Sequence, residues 1–561
     1  MTDVEGDGHY FDRFIRHSKV LGFRSFQPTF AQGNSSSSSN ASSEYFPYSK
    51  EVVFLDDGDC DDERKNNNSS ALVFGGDVWD KGGADLYVIR QLLSLHRRYP
   101  NRVHFIMGNR DINKLRIADE LSSCITESVT ENKRLPMHKG VYWLRGTGLR
   151  GDPEKYYADA DETTETAAER LKWMLQSTMG SPDAFELRRL ELYKEQNAML
   201  NGESAFPEQE HILCSGESKE QISISDDEVV KSYIQSCGPN SLLSEYLSNA
   251  KLMIRFGPVL FMHGALPSIE GRLFPLPWLE KKSPDDQIQH QTLTEWIDDL
   301  NKFASDQVTS WKHYCNNTIH HQHQNGDDNF WATNGGYNNT TPGGRVFGNL
   351  LQYGMNTLPD RSKNETVVYN SWMNDGMPRI DLNSMVEKLF DQEGLDLILS
   401  GHQPVGDAPW PIQLHNGWIL PCDTSFSGDV CWTSAPAEHC NSSAERVGLG
   451  RGSRPNFGRG DVAFSETLIT FCPETCELDS VKIHGCLSDG SSYETSNLLD
   501  IDNKDTKLIG RPVGKITTKN EVKDALFWVK SKIGKDYLLS TGKGFSVFNL
   551  CSQLEDITVN E

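Results

Sequence analysis

Gly75-Gly76-Asp77-Val78-Trp79-Asp80-Lys81-Gly82 closes a short apolar run at 71–74, and the reading of the whole chain starts from it. A second apolar run, at 103–107, closes in Gly108-Asn109-Arg110-Asp111. Between the two, Leu86, Val88, Ile89, Leu92, Leu93 and Leu95 recur at helical spacing. A buried strand, a loop, an amphipathic helix and a second buried strand make a βαβ unit, which predicts an α/β fold with a parallel sheet region. The same grammar returns twice. A run at 259–262 ends in His263-Gly264-Ala265-Leu266-Pro267, and one at 395–399 is followed by Gly401-His402-Gln403-Pro404. In open α/β sheets, ligands gather beyond the carboxyl ends of strands. A glycine beside each polar residue lets the backbone turn sharply and approach a ligand closely. One carboxylate, one amide oxygen and two imidazoles form a donor set suited to Mn, Fe, Zn or Mg. Each piece alone is ordinary; a lone Gly-Asp is a turn and a lone Gly-His a loop histidine. Their joint order, each after a strand, points to a metal site.

In these motifs and their order the chain resembles the calcineurin-like metallophosphoesterase superfamily, and within it the serine/threonine phosphatase type of motif set: G-D-x-H-G, G-D-x-x-D-R-G, G-N-H-E/D, H-G and a later histidine. Residues 76–82 match the second motif with Lys81 for arginine, and 108–111 the third with Arg110 for histidine. His263-Gly264 and His402 match the last two, and Asp423-Thr424-Ser425-Phe426-Ser427-Gly428 resembles the closing strand. The first motif has two fits. Asp3-Val4-Glu5-Gly6 replaces histidine by Glu5, and Gly6-Asp7-Gly8-His9 keeps histidine but lacks the final glycine. Asp3 and Glu5 are preferred, because Gly6 then supplies the turn. The resemblance places a strand ahead of this motif, so the expectation is a chain starting short of its natural beginning, with a weakened metal site.

The resemblance implies a four-layer sandwich of two mixed β-sheets flanked by helices. A phosphoesterase domain would span 1–475, with low-complexity or disordered insertions at about 33–70, 313–344 and 433–460 and a helical insertion at about 150–250. An α+β extension would follow at 476–561, with a helix near 522–532. The resemblance further implies two divalent ions sharing an activated hydroxide. Asp77 would bridge them, Asp3 and Glu5 with His402 would serve one, and Asn109 with His263 the other. Asp80, Arg110 and Asp111 take the catalytic positions, and Lys81 with Arg110 would bind phosphate. A glutamate oxygen in place of imidazole favours Mn or Mg over Zn.

Arg110 alters the chemistry. Arginine stays protonated and is no general acid, but its paired N–H donors bind phosphate oxygens. Two expectations follow. Either substrates carry good leaving groups, such as anhydrides or aryl phosphates, or another residue donates the proton, with His9 a candidate. The expected substrate is a phosphorylated protein or nucleotide; the alternative is a pseudophosphatase that only binds phosphate or a protein partner.

The 561 residues carry 79 acidic against 55 basic side chains, a net charge of −24. That balance disfavours nucleic-acid polymers and anionic membranes as partners. Twelve cysteines are too few for a disulfide scaffold and read as reduced thiols. With no apolar leader and no run long enough to span a bilayer, the expected location is cytoplasmic. Residues 163–200 and 241–254 look helical. His313, His320, His321 and His323 read as part of a polar loop, and Trp143, Trp173 and Trp296 as packing aromatics.

Overall fold

A computed structural model describes residues 1–29, 45–56, 70–121, 134–136, 164–206, 224–267, 292–325, 348–357, 362–379, 384–424, 430–432 and 462–500, and beyond these 502, 506–513, 515–518, 521–523, 526–543, 546–552 and 557–558. Trp143, the insertion expected at 433–460 and the part of the His-rich stretch after residue 325 lie outside them; of the insertion expected at about 33–70, residues 45–56 and 70 are described, and Lys50–Phe54 is a strand rather than a low-complexity loop.

The chain enters along the site. Met1 donates its ammonium to Val73 O, Gly75 N–H donates to Met1 O, and Asp3 N–H to Gly76 O. Residues 1–3 thus run beside the following strand. Helix α1 (Gly8–His17) is capped by Asp7, whose side chain accepts from Tyr10 N–H, and the hairpin β1 (Leu21–Ser25) with β2 (Lys50–Phe54) follows. Strand β3 (Leu72–Phe74), helix α2 (Asp85–Arg98) and strand β4 (Val103–Ile106) form the expected βαβ unit. β3 and β4 pair in parallel, Leu72 beside Val103. The six apolar residues singled out on α2 are all buried. Short helices α3 (Asn109–Asn113) and α4 (Leu115–Glu120) start directly at the second motif.

The described residues between 164 and 250 are mainly helical. Helix α5 (Ala167–Trp173) opens on a Thr166/Glu169 capping box and runs into a π-helical turn, Met174–Thr178. Helices α6 (Ala184–Asn201), α7 (Asp226–Cys237) and α8 (Leu242–Asn249) follow. The helix expected to reach residue 254 stops at Asn249. Beyond it β5 (Ala250–Lys251) joins β4, and β6 (Met253–Phe256) pairs with β7 (Val259–Met262), Met253 opposite Met262. The loop expected from residue 313 also yields to helix. Helix α9 (Leu293–Asn325) carries all four histidines of that stretch on helical backbone. Its stripe of Leu293, Trp296, Leu300, Ala304, Val308, Trp311 and Cys315 is buried, and no glycine or proline interrupts the polar continuation.

After α10 (Ser384–Glu393), strands β8 (Leu397–Ser400), β9 (Ile412–Gln413) and β10 (Trp418–Pro421) complete a five-stranded mixed sheet in the order β9-β10-β8-β7-β6. β11 (Val430–Trp432) leads into a larger sheet built on β12 (Phe464–Phe471), β13 (Leu478–Cys486), β14 (Ser492–Thr495), β15 (Phe527–Ile533), β16 (Asp536–Lys543) and β17 (Ser546–Ser552). The helix expected near 522–532 is strand, and the C-terminal region has no helix among its described residues. Phe527 to Ser531 are buried on both faces, so the alternation that marks a half-exposed strand is missing. The hairpin β12–β13 also crosses residue 475, so the boundary drawn there falls inside one sheet. Val259, Leu397 and Leu420 of the five-stranded sheet share a core with Val481, Val529 and Leu539 of the larger one. Among the described residues the architecture is mixed α/β, with several sheets and no barrel. Among the described residues, no helix is long and apolar enough to cross a membrane.

Candidate functional site

The ends of β3, β4, β7 and β8 meet the first six residues of the chain. Glu5 N–H donates to Asp77 O and Gly6 N–H to Val78 O, laying the N-terminal segment along the β3 loop. Gly401 N–H donates to His263 O, joining the loops after β7 and β8. Asp111 ties the β3 and β4 loops together. Its carboxylate accepts from Asp77, Val78 and Gly108 N–H, each at 2.9 Å.

Six described non-glycine residues have a left-handed backbone, and four of them, Asp3, Glu5, Asp77 and His402, belong to this one place. Such strain persists only where the surroundings over-determine it, and it clusters at functional sites. Two glycines leave room for the carboxylates. A Cβ on Gly108 would fall 2.0 Å from Asp77 Oδ1, and one on Gly401 2.1 Å from Asp3 Oδ2.

At the centre, ligand atoms of Asp3, Asp77 and His263 lie within 4.8 Å of one another, all buried. The Gly75 carbonyl accepts from His263 Nδ1 at 2.8 Å, which turns Nε2 toward Asn109 Oδ1 at 3.0 Å and Asp77 Oδ1 at 3.5 Å. His402 Nδ1 lies 3.0 Å from the same Asn109 oxygen, and its backbone N–H donates to the Asp3 carboxylate. So Asp3, Asp77, Asn109, His263 and His402 converge. Asp7 and His9 give no atom to the Asp3–Asp77–His263 group: Asp7 caps α1, while His9 is exposed against Phe206. Of the two fits for the first motif, the structure brings Asp3 and Glu5 to the site.

The remaining predicted residues separate into a flank and a support. Arg110 Nε lies 2.9 Å from Glu5 Oε1 and 3.4 Å from Asp77 Oδ2. Its Nη1 pairs with Asp80 and donates to Met179 O at 3.0 Å. Lys81 Nζ reaches the same Glu5 oxygen at 3.2 Å, and Lys114 pairs with Asp80. Glu5 therefore faces two cations and stands outside the three-residue group. Asp111 lies behind the loops as a backbone acceptor.

The charges explain the proton affinities. Burial alone would lower His263, but Asp77 and Asp3 beside it push the imidazole up to about 10. Burial and the neighbouring His263 push His402 down to about 3. Burial raises the Asp3 carboxyl, and Asp423 adds to it. Burial would also raise Asp77, but His263 and Arg110 hold it low. Burial and the neighbouring Asp77 raise Asp111 to about 7. A like charge nearby, as Asp423 is to Asp3, disfavours ionisation of the carboxyl.

Sequence reasoning left two participants out of the site. Asp423 follows β10 as Asp77, Asn109 and His263 follow their strands, so the same rule reaches it. Tyr369 carries no such signal. It lies in a turn where Gly264 N–H donates to Val367 O, and its ring meets His402 at 4.6 Å between centroids.

No family model matches the chain, and no curated protein matches it. Among solved structures, a cold-active protein-tyrosine phosphatase of a psychrophile Shewanella sp. aligns over 88% of this chain and 78% of its own, at 11% identity and a TM-score of 0.29. A score that low establishes no common fold.

Proposed function

We propose that this chain is a metal-dependent phosphoesterase of the calcineurin-like type, its two larger sheets forming the central sandwich of that fold. The observation that carries the reading is the convergence of Asp3, Asp77 and His263 within 4.8 Å, with Asn109 and His402 around them, from four strand ends and the N-terminal segment. The donors fit a divalent ion. Two carboxylates, an amide oxygen and an imidazole suit Mn or Mg. The carbonyl of Gly75 fixes the His263 tautomer in the way ligand histidines are commonly fixed. When bound, the ion polarises phosphate oxygens and lowers the pKa of a water toward neutrality.

The chain's own residues do the rest. Arg110 is about one-fifth exposed; its Nε is engaged by Glu5 and Asp77 and its Nη1 by Asp80 and Met179 O, and the exposed part of the guanidinium is the part a phosphate oxygen would meet. It positions phosphate and supplies no proton. With His9 away from the ligand group, the substrates favoured are those whose leaving group departs unprotonated, such as aryl phosphates and nucleotide anhydrides.

The purified protein should be assayed with Mn and Mg on an aryl phosphate, a phosphopeptide and a dinucleoside polyphosphate. Metal-dependent turnover, lost in Asp77→Asn, is expected. Full activity in that variant would sink the site assignment. Metal binding without turnover of any substrate would leave the pseudophosphatase reading instead.

A further inference from the structure

We propose that the chain holds one divalent ion, in the Asp3–Asp77–His263 half of the site, and that the Arg110 guanidinium occupies the place beside Glu5 that a second ion would need. The proposal rests on the phosphoesterase reading and departs from the expectation of two ions.

Position is the first ground. Arg110 Nε already lies between Glu5 and Asp77, 2.9 Å from Glu5 Oε1 and 3.4 Å from Asp77 Oδ2, where any further ion beside Glu5 would have to bind. Lys81 Nζ stands 3.2 Å from the same Glu5 oxygen. A metal ion bound to those oxygens at about 2.0–2.2 Å would sit against two fixed positive groups.

Anchorage is the second. Arg110 does not reach the acids on a free side chain. Its backbone N–H donates to Asp77 Oδ1 at 2.9 Å, and its Nη1 is shared between Asp80 and Met179 O. Met179 comes from the turn after the π-helical segment, so the helical insertion itself holds the guanidinium down. Asp80 is fully buried. Swinging Arg110 aside strips that carboxylate of one of its two cations, and breaking a buried pair is strongly unfavourable.

Charge is the third. On the Glu5 side, Glu5, Asp77 and Asp80 are each already paired with a cation, Lys81, Arg110 or Lys114. On the opposite side, ligand atoms of the buried Asp3, Asp77 and His263 lie within 4.8 Å of one another. One divalent ion fits that group. A second would add uncompensated positive charge to a buried site. Three protein ligands are enough to hold one ion and leave positions open for substrate.

The test is a metal count on the full chain, stripped with chelator, titrated with Mn by calorimetry and measured by elemental analysis after gel filtration. One Mn per chain with an uncoupled EPR signal is expected. Arg110→His should raise the count to two and give an exchange-coupled spectrum. Glu5→Gln should keep one ion, and Asp3→Asn should lose it. Two coupled ions in the wild-type protein would overturn the proposal while leaving the phosphoesterase reading intact. A single ion in both wild type and a folded Arg110→His would remove Arg110 from its assigned place, as would loss of the ion in Glu5→Gln. No ion bound at all would bring down the phosphoesterase reading and this proposal together.

Discussion

Replacing Asp111 by alanine should damage the protein far more than its place behind the site suggests. Its two oxygens accept three backbone N–H groups, Asp77 and Gly108 on Oδ2 and Val78 on Oδ1. The residue is fully buried, so alanine leaves three donors without a partner. An orphaned buried donor costs about 1–3 kcal/mol. Allowing for water entering the space, Asp111→Ala should lose roughly 3–6 kcal/mol. Asparagine separates the contributions. Its single oxygen can keep the two bonds made by Oδ2, but its NH2 then faces Val78 N–H. Asp111→Asn should therefore cost about 1–3 kcal/mol, one donor's worth. Because the same carboxylate holds the Asp77 loop against the Gly108 loop, Mn affinity should also fall by about 10–100-fold, as when outer partners of metal ligands are removed. Urea unfolding followed by circular dichroism gives the first quantity and calorimetric Mn titration the second. An Asp111→Ala protein within 1 kcal/mol of wild type, or with unchanged Mn affinity, would refute the view that this side chain knots the two loops.

Three other outcomes are expected. Gly401→Ala drives a methyl onto the Asp3 carboxylate, so Mn binding should drop at least tenfold by calorimetry while the folded circular dichroism spectrum persists; unchanged affinity would place Asp3 outside the ligand set. Tyr369→Phe keeps the ring against His402 and removes the hydroxyl, so Mn affinity should hold, whereas Tyr369→Ala, which strips the ring, should weaken it; equal affinity in both would deny the ring its supporting part. Lys530 is fully buried and donates to Val405 O; burial pushes its ammonium down to about 7 from 10.5, with Asp407 opposing. The folded state then binds fewer protons than the unfolded chain between about pH 7 and 10, so this residue makes stability rise with pH across that window, by up to roughly 4 kcal/mol. Lys530→Met should flatten the rise in urea unfolding curves, and an unaltered slope would count against a charged lysine being forced out of water there.

How much was legible beforehand depended on whether a residue's signal was local. The βαβ unit at 71–107 announced itself, because α2 shows its buried stripe at helical spacing and the strands end in glycine. The convergence of Asp3, Asp77, Asn109, His263 and His402 was legible because each stands at a strand end or in the N-terminal motif. The partners of Arg110 were not. Met179 reaches it from an insertion about seventy residues away, and no spacing rule links the two. The strand at Phe527–Ile533 was mistaken for helix because both its faces are buried. Helix α9 runs on through the stretch expected as loop from residue 313 because His, Gln and Asn are tolerated wherever a buried stripe already pays for the turn.

The left-handed backbone at Asp3 and Asp77 has an evolutionary side. Asparagine and glycine accept that conformation at least as readily as aspartate does. Drift to asparagine would remove a negative charge from the cluster and keep an oxygen for the backbone N–H groups of Arg110 and His402 that Asp77 and Asp3 now accept. Most active sites resist such drift only through selection on activity, since a lost ligand often leaves the fold sound. Here the backbone would even ease the exchange. A lineage released from its chemical task could slide from catalyst to scaffold in one or two substitutions, without passing through an unfolded ancestor.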